Sequence, residues 1–147
     1  MSIISDLHKK TAATNVFVAA LLLAQATYAQ GKTIGSYPST DGKYTLTLET
    51  VPEKDSDPGI VLNRVTSLFI VLSNANPREK VPPIDGLKFD ARMPEHDHGL
   101  VTTPVVKQTR NKSFRIEGVK FHMAGNWDIN LEVITAKPIH FRIPLKI

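Results

Sequence analysis

The sequence predicts an all-β fold, an antiparallel β-sandwich, behind an N-terminal signal-peptide helix. Three observations carry this. Outside the leader no segment repeats apolar residues at a 3.6-residue period, whereas two-residue alternation recurs along the chain. The alternating runs are short and separated by segments rich in Gly, Pro, Asn and Asp. Cysteine is absent, so the fold must close on a hydrophobic core without disulfides.

Taken in order, Tyr44, Leu46 and Leu48 face one way and Thr45, Thr47 and Glu49 the other. Residues 65–72 are apolar almost throughout, as expected of a central strand. Leu87, Phe89, Ala91 and Met93 alternate with Lys88, Asp90 and Arg92. Val105 to Thr109 and Ser113 to Ile116 flank Arg110-Asn111-Lys112, a turn. Val119, Phe121 and Met123 lead through Ala124-Gly125-Asn126 into Trp127, Ile129, Leu131 and Val133. Ile139, Phe141, Ile143, Leu145 and Ile147 close the chain on one face. Pro144 lacks a backbone donor and puts this last strand at a sheet edge. Segments 51–64 and 74–86 read as exposed loops. About seven short strands in a domain of this size is the pattern of an immunoglobulin-like sandwich.

The leader has Lys9 and Lys10, an apolar stretch from Val16 to Ala24, and small residues at Ala26 and Ala29. The stretch is shorter than the roughly 20 residues that span a bilayer, so it reads as a cleavable signal peptide rather than an anchor. The division is therefore signal peptide 1–29 and sandwich domain 30–147, exported to a periplasm or the exterior. No cysteine follows the leader, so a lipid anchor is not expected. The net charge of +4 is spread over alternating positions with no aromatic-interleaved basic stripe, which argues against nucleic acid. No nucleophile elbow, phosphate-cradling loop or helix-borne metalloprotease motif is present, and the reading is of a non-enzyme.

Chemistry concentrates in two short segments. Residues 93–98 and 122–123 hold three of the five histidines, His96, His98 and His122, and two of the three methionines, Met93 and Met123. Imidazole and thioether are the softer ligands left to a cysteine-free chain, and together they suit copper. Three imidazoles with an open fourth position also suit zinc, the second choice. Strand alternation assigns Met93 and Met123 to the core, as flexible filler, if both segments stay extended. It turns His122 outward with Lys120. The competing reading makes His96 and His98 polar loop residues that hold a turn. Trp127 is read as a core anchor and Asp90 as a solvated face residue.

Two blocks resemble a known family. Gly86 to Gly99, containing Met93-Pro94-Glu95-His96-Asp97-His98-Gly99 with Pro104 beyond, resembles the MPxHxHG segment of the YtkA-like domain family. Phe114 to Asp128, ending in His122-Met123, a Gly125 turn and Trp127, resembles its second block. The likeness covers residues 40–135, with Asp97 where the pattern has Gly and Ala124 where it has Pro. That family is similar to the nitrogen-fixation H protein group, whose members accompany copper delivery to respiratory oxidases. The resemblance implies an exported immunoglobulin-like domain and a copper carrier or accessory factor serving a membrane or periplasmic protein. The alternative is a metal-free interaction module that docks an envelope or membrane protein through the same loops.

Overall fold

The computed structural model describes residues 31–51 and 59–147. The expected signal peptide, residues 1–29, and part of the expected loop 51–64 lie outside the described residues. Nine strands and no helix occur among the described residues: β1 (Thr33–Pro38), β2 (Tyr44–Val51), β3 (Val65–Asn74), β4 (Gly86–Met93), β5 (His98–Gly99), β6 (Val105–Arg110), β7 (Ser113–Lys120), β8 (Asn126–Ile134) and β9 (Ile139–Lys146). They form two antiparallel sheets, β1-β2-β3-β7-β6 and β5-β4-β8-β9. Setting β1 and the two-residue β5 aside, this is the four-plus-three strand order of an immunoglobulin constant-type sandwich.

The alternation read from the sequence becomes the inner faces. Leu46 and Leu48 on β2, Leu68, Ile70 and Leu72 on β3, and Phe114 and Ile116 on β7 are buried from one sheet. Leu87, Ala91 and Met93 on β4, Trp127, Ile129, Leu131 and Val133 on β8, and Ile139, Phe141 and Ile143 on β9 are buried from the other. Each fully buried aliphatic side chain of this kind contributes about 1.5–3 kcal/mol. β3 is central in its sheet and β9 lies at the edge of the other, with Pro144 opposite Asp128, as Pro144 requires.

β7 does not run straight into the His122 segment. Between Thr66↔Val119 and Leu68↔Ile116, β7 has two residues, Glu117 and Gly118, where β3 has one. Gly118 takes φ +79°, the backbone of a bulge that only glycine adopts freely. The extra residue flips the face parity, so Ile116 and Val119 both point inward, and Phe121 beyond the strand's end is buried with them.

The outer face of the four-stranded sheet is a lattice of ion pairs. Lys88 Nζ meets Glu132 Oε1 at 2.8 Å, Arg92 Nε meets Asp90 Oδ2 at 2.9 Å, and Arg142 Nη2 meets Asp128 Oδ2 at 2.6 Å. Asp90 is thus a face residue. The hydrogen bond from Lys88 holds the Glu132 carboxyl below the ordinary glutamate range, and the one from Lys107 does the same to Glu117. A carboxylate depressed on folding stabilises the native state above its unfolded pKa, and that contribution disappears as pH falls through the folded value. Stability should therefore begin to fall below about pH 4. In urea titrations across that range Glu132→Gln should remove a small part of the acid-side loss, small because these pairs are exposed.

Candidate functional site

Three connections and the chain's last residue meet at one end of the sandwich: 94–97 between β4 and β5, 121–125 between β7 and β8, the end of the β2–β3 connection, and Ile147. Backbone hydrogen bonds tie them together. Asn63 N donates to Phe121 O at 2.8 Å, while Gly125 and Ile147 exchange a reciprocal pair at 3.1 and 3.0 Å. The 94–97 turn is closed by His96 N to Met93 O at 3.1 Å and latched to β8 by Asn126 Nδ2 to Glu95 Oε1 at 3.0 Å.

Asp97 takes φ +50° in that turn. The left-handed conformation is the reason glycine suits this position, and Asp is among the few other residues that enter it readily. Asp97→Gly should leave thermal stability unchanged or slightly raised, while Asp97→Val should cost about 1–2 kcal/mol in a denaturant titration. Left-handed φ here then carries β5 back along β4, with His98 opposite Met93.

This geometry gathers the three histidines. The His96 and His98 rings stack with centroids 6.0 Å apart, and His98 meets His122 edge-on at 6.3 Å. His96 and His98 are exposed. His122 departs from the expectation that it turns freely outward. β7 stops at Lys120, the chain leaves the extended path, and the His122 ring packs edge-on against Trp127 with centroids 5.7 Å apart. It is half-buried, and its Nδ1 is enclosed with no hydrogen-bond partner among the described residues. A buried ring nitrogen without a partner is uncommon, because it bears the desolvation cost of a polar atom with no hydrogen bond to offset it. Trp127 itself is 1% exposed, packs edge-on against Phe121 at 5.1 Å, and donates Nε1–H to Met123 O at 3.0 Å. The core-anchor reading holds, and the indole also fixes the segment bearing His122.

The methionines sit lower. Met93 is 1% exposed, with its terminal methyl directly beneath Gly125. Met123 is half-buried and packs against the core. Among the described residues no three His, Asp or Glu side chains are disposed so that they could enclose a metal ion. Two imidazoles on one tetrahedral ion, each nitrogen about 2 Å away, set ring centres about 5 Å apart. The observed spacings exceed that by about an ångström.

Sequence reasoning missed the company these rings keep. Val61 and Leu62 are exposed close to Asn63, Val65 is exposed opposite Lys120, and Thr103 and Pro104 flank Gly118, which places exposed Val101 and Val105 at the same end. No pattern in the sequence relates those positions, because the bulged β7 brings them together. A shallow cleft of about 350 Å³ opens beside the site, lined by Glu95, Asp128, Arg142 and Lys146 among others, with the Arg142–Asp128 pair inside it.

No family model matches this chain, and no curated protein or solved structure is significantly similar to it.

Proposed function

We propose that this end of the sandwich binds copper reversibly, and that the protein is an exported carrier or accessory factor passing the ion to a membrane or periplasmic partner. One observation carries the reading: the fold gathers His96, His98 and His122 from two segments distant in sequence, with centroid spacings of 6.0 and 6.3 Å along the row. To share one ion the exposed His96 and His98 rings, now stacked 19° from parallel, would have to turn their nitrogens toward a common point as well as close by about an ångström, and exposed side chains change rotamer in picoseconds to nanoseconds. A site that closes on its ion and keeps an exposed side suits a carrier, because release needs a second protein's ligands to enter. The two sequence blocks resembling the YtkA-like family point the same way.

Calorimetric titration with Cu(II), and with Zn(II) for comparison, tests the reading. One-to-one binding at micromolar affinity or tighter is expected, weakened at least thirtyfold by His98→Ala. His98 is exposed, so this substitution should leave the melting temperature unchanged. Absence of saturable binding would overturn the proposal. A second readout is optical: the single tryptophan, Trp127, lies 5.7 Å from the His122 ring, so Cu(II) should quench its fluorescence with the same stoichiometry.

The second reading, a metal-free module docking an envelope protein, is favoured by the exposed Val61, Leu62, Val65, Val101 and Val105 around the same end. Val101 is 62% exposed, and apolar side chains grouped rather than scattered commonly mark a contact surface. Leu62→Ser with Val101→Ser should leave copper affinity untouched if the histidines alone hold the ion. The same exposed side chains would also serve a copper carrier docking its recipient, so the titration separates the two readings.

A further inference from the structure

The two outer faces of the sandwich differ in chemistry. That of β5-β4-β8-β9 is laced by the Lys88–Glu132, Arg92–Asp90 and Arg142–Asp128 pairs, which suits contact with water. That of the five-stranded sheet is built from the residues its register turns away from the core. On the central strand β3 these include Val65, Phe69 and Val71, because Thr66, Leu68, Ile70 and Leu72 are buried between them. Val65 and Val71 are 48% and 37% exposed, and Phe69 is half-buried in mid-strand. Among the described residues no further strand lies over them.

Charges on this face are few and unevenly placed. Glu49 on β2 and Arg115 on β7 stand on either side of Phe69, in one row that ends with Lys107 on β6. Lys107 and Arg115 share a single carboxylate, Glu117, at 2.6 and 3.2 Å. The Arg115 contact lacks the alignment of a hydrogen bond, so its enclosed Nε is unsatisfied among the described residues. Glu49 stands in no ion pair among the described residues. The β2 half of the face therefore offers a free carboxylate, and the β7 half a guanidinium with donors to spare.

A half-turn about an axis along β3 lays each half over the other at the same height on the strands. Phe69 then meets its own copy at the centre, and Glu49 meets Arg115 twice, which is the self-complementary pattern of a two-fold interface. The area agrees. Five strands about 4.8 Å apart, each about eight residues long with a rise of about 3.3 Å, present roughly 600 Å². Two copies bury roughly 1,200 Å², the lower bound for a specific, stable interface.

We infer that the occupant of this face is a second copy of the chain, packed sheet to sheet in a two-fold dimer with Phe69 at its centre and a Glu49–Arg115 pair on either side. Sheets stacked in this way lie about 10 Å apart with strands crossing at about 30°. A central aromatic is the residue type that dominates such contacts. Because the axis runs along the strands, both copies present their histidine ends on the same side of the dimer.

Sedimentation velocity of the intact protein, with no metal added, tests this. The modest area leads to a dimer that dissociates at about micromolar concentration. Glu49→Arg and Arg115→Glu should each weaken self-association by about tenfold or more, since each brings like charges together twice. Mixed in equal amounts, the two variants should reassociate, because each copy then supplies the charge its partner lacks. Phe69→Thr, which keeps a residue suited to a strand, should leave a monomer. Asn130→Arg, on the outer face of the other sheet, should change nothing. Unchanged far-ultraviolet circular dichroism in each variant shows that lost association is not lost folding. A parent that stays monomeric up to millimolar concentration would overturn the inference and leave the face to a different protein. A dimer indifferent to Phe69→Thr and to both charge reversals would overturn it by placing the interface elsewhere, and failure of the mixed variants to reassociate would overturn the two-fold pairing.

Discussion

Trp127→Ala should lower the unfolding free energy by about 3–5 kcal/mol, the range for truncating a large buried aromatic. The indole is 1% exposed and sits where β8 begins, edge-on to both Phe121 and His122. Its loss leaves a void between the sheets and also releases Met123 O, which accepts the Nε1–H at 3.0 Å. The consequence should therefore exceed packing. With the carbonyl unheld and the ring wall gone, residues 121–124 lose the two contacts that fix the His122 ring, and copper affinity should fall along with stability. Trp127→Phe separates the parts. It keeps most of the apolar volume and deletes the donor, leaving the Met123 carbonyl to find water, at about 1–2 kcal/mol. A guanidinium denaturation series on the three proteins decides this. If Trp127→Phe matched the parent in both stability and metal affinity, the indole would be filling space without positioning the loop.

That double role shows what the sequence could and could not convey. Burial of Trp127 followed from its phase with Ile129 and Leu131, since side chains two apart on a strand share a face. The same arithmetic located the inner faces of β2, β4, β8 and β9 and the central place of β3. Periodicity failed where the backbone departs from a flat pleat. Extending the pattern of Val119 and Phe121 to Met123 ignores the strand's end at Lys120, and so turns His122 outward when its Nδ1 is enclosed. β1 escaped detection because Thr33–Pro38 is an edge strand with no fully buried side chain, and so has no alternation to see. β5 has only two residues and is defined by its pairing with Arg92 and Met93 rather than by composition. That the two histidine segments share an end of the molecule depends on the strand pairing, which brings the ends of β4 and β7 together. The spacing and orientation of the rings depend on the left-handed turn at Asp97 and on the packing of Trp127.

Gly125→Ala should be nearly as damaging as loss of the tryptophan, at about 3 kcal/mol, for two reasons that can be measured apart. Gly125 adopts φ +137°, a region essentially closed to residues with a side chain, where the strain is about 1–3 kcal/mol. A Cβ there would also run into the terminal methyl of Met93, which has little room to retreat within the core. Forcing a methyl into a packed interior costs a further 1–3 kcal/mol or so. The reciprocal hydrogen bonds with Ile147 stop the backbone from rotating to a more permissive φ. Gly42 supplies the comparison, since it has φ +71° but open space around its Cα, so Gly42→Ala should show the backbone penalty alone, about 1 kcal/mol. A double-mutant cycle isolates the contact. Gly125→Ala combined with Met93→Ala should lose less stability than the two changes added, with a coupling of about 1–2 kcal/mol, because truncating the thioether makes room for the new methyl. If the two effects simply add, Met93 is not the wall against which this turn is built. The thioether would then be freer to leave the core than its burial implies, and Met93 would return as a candidate ligand for the proposed copper site.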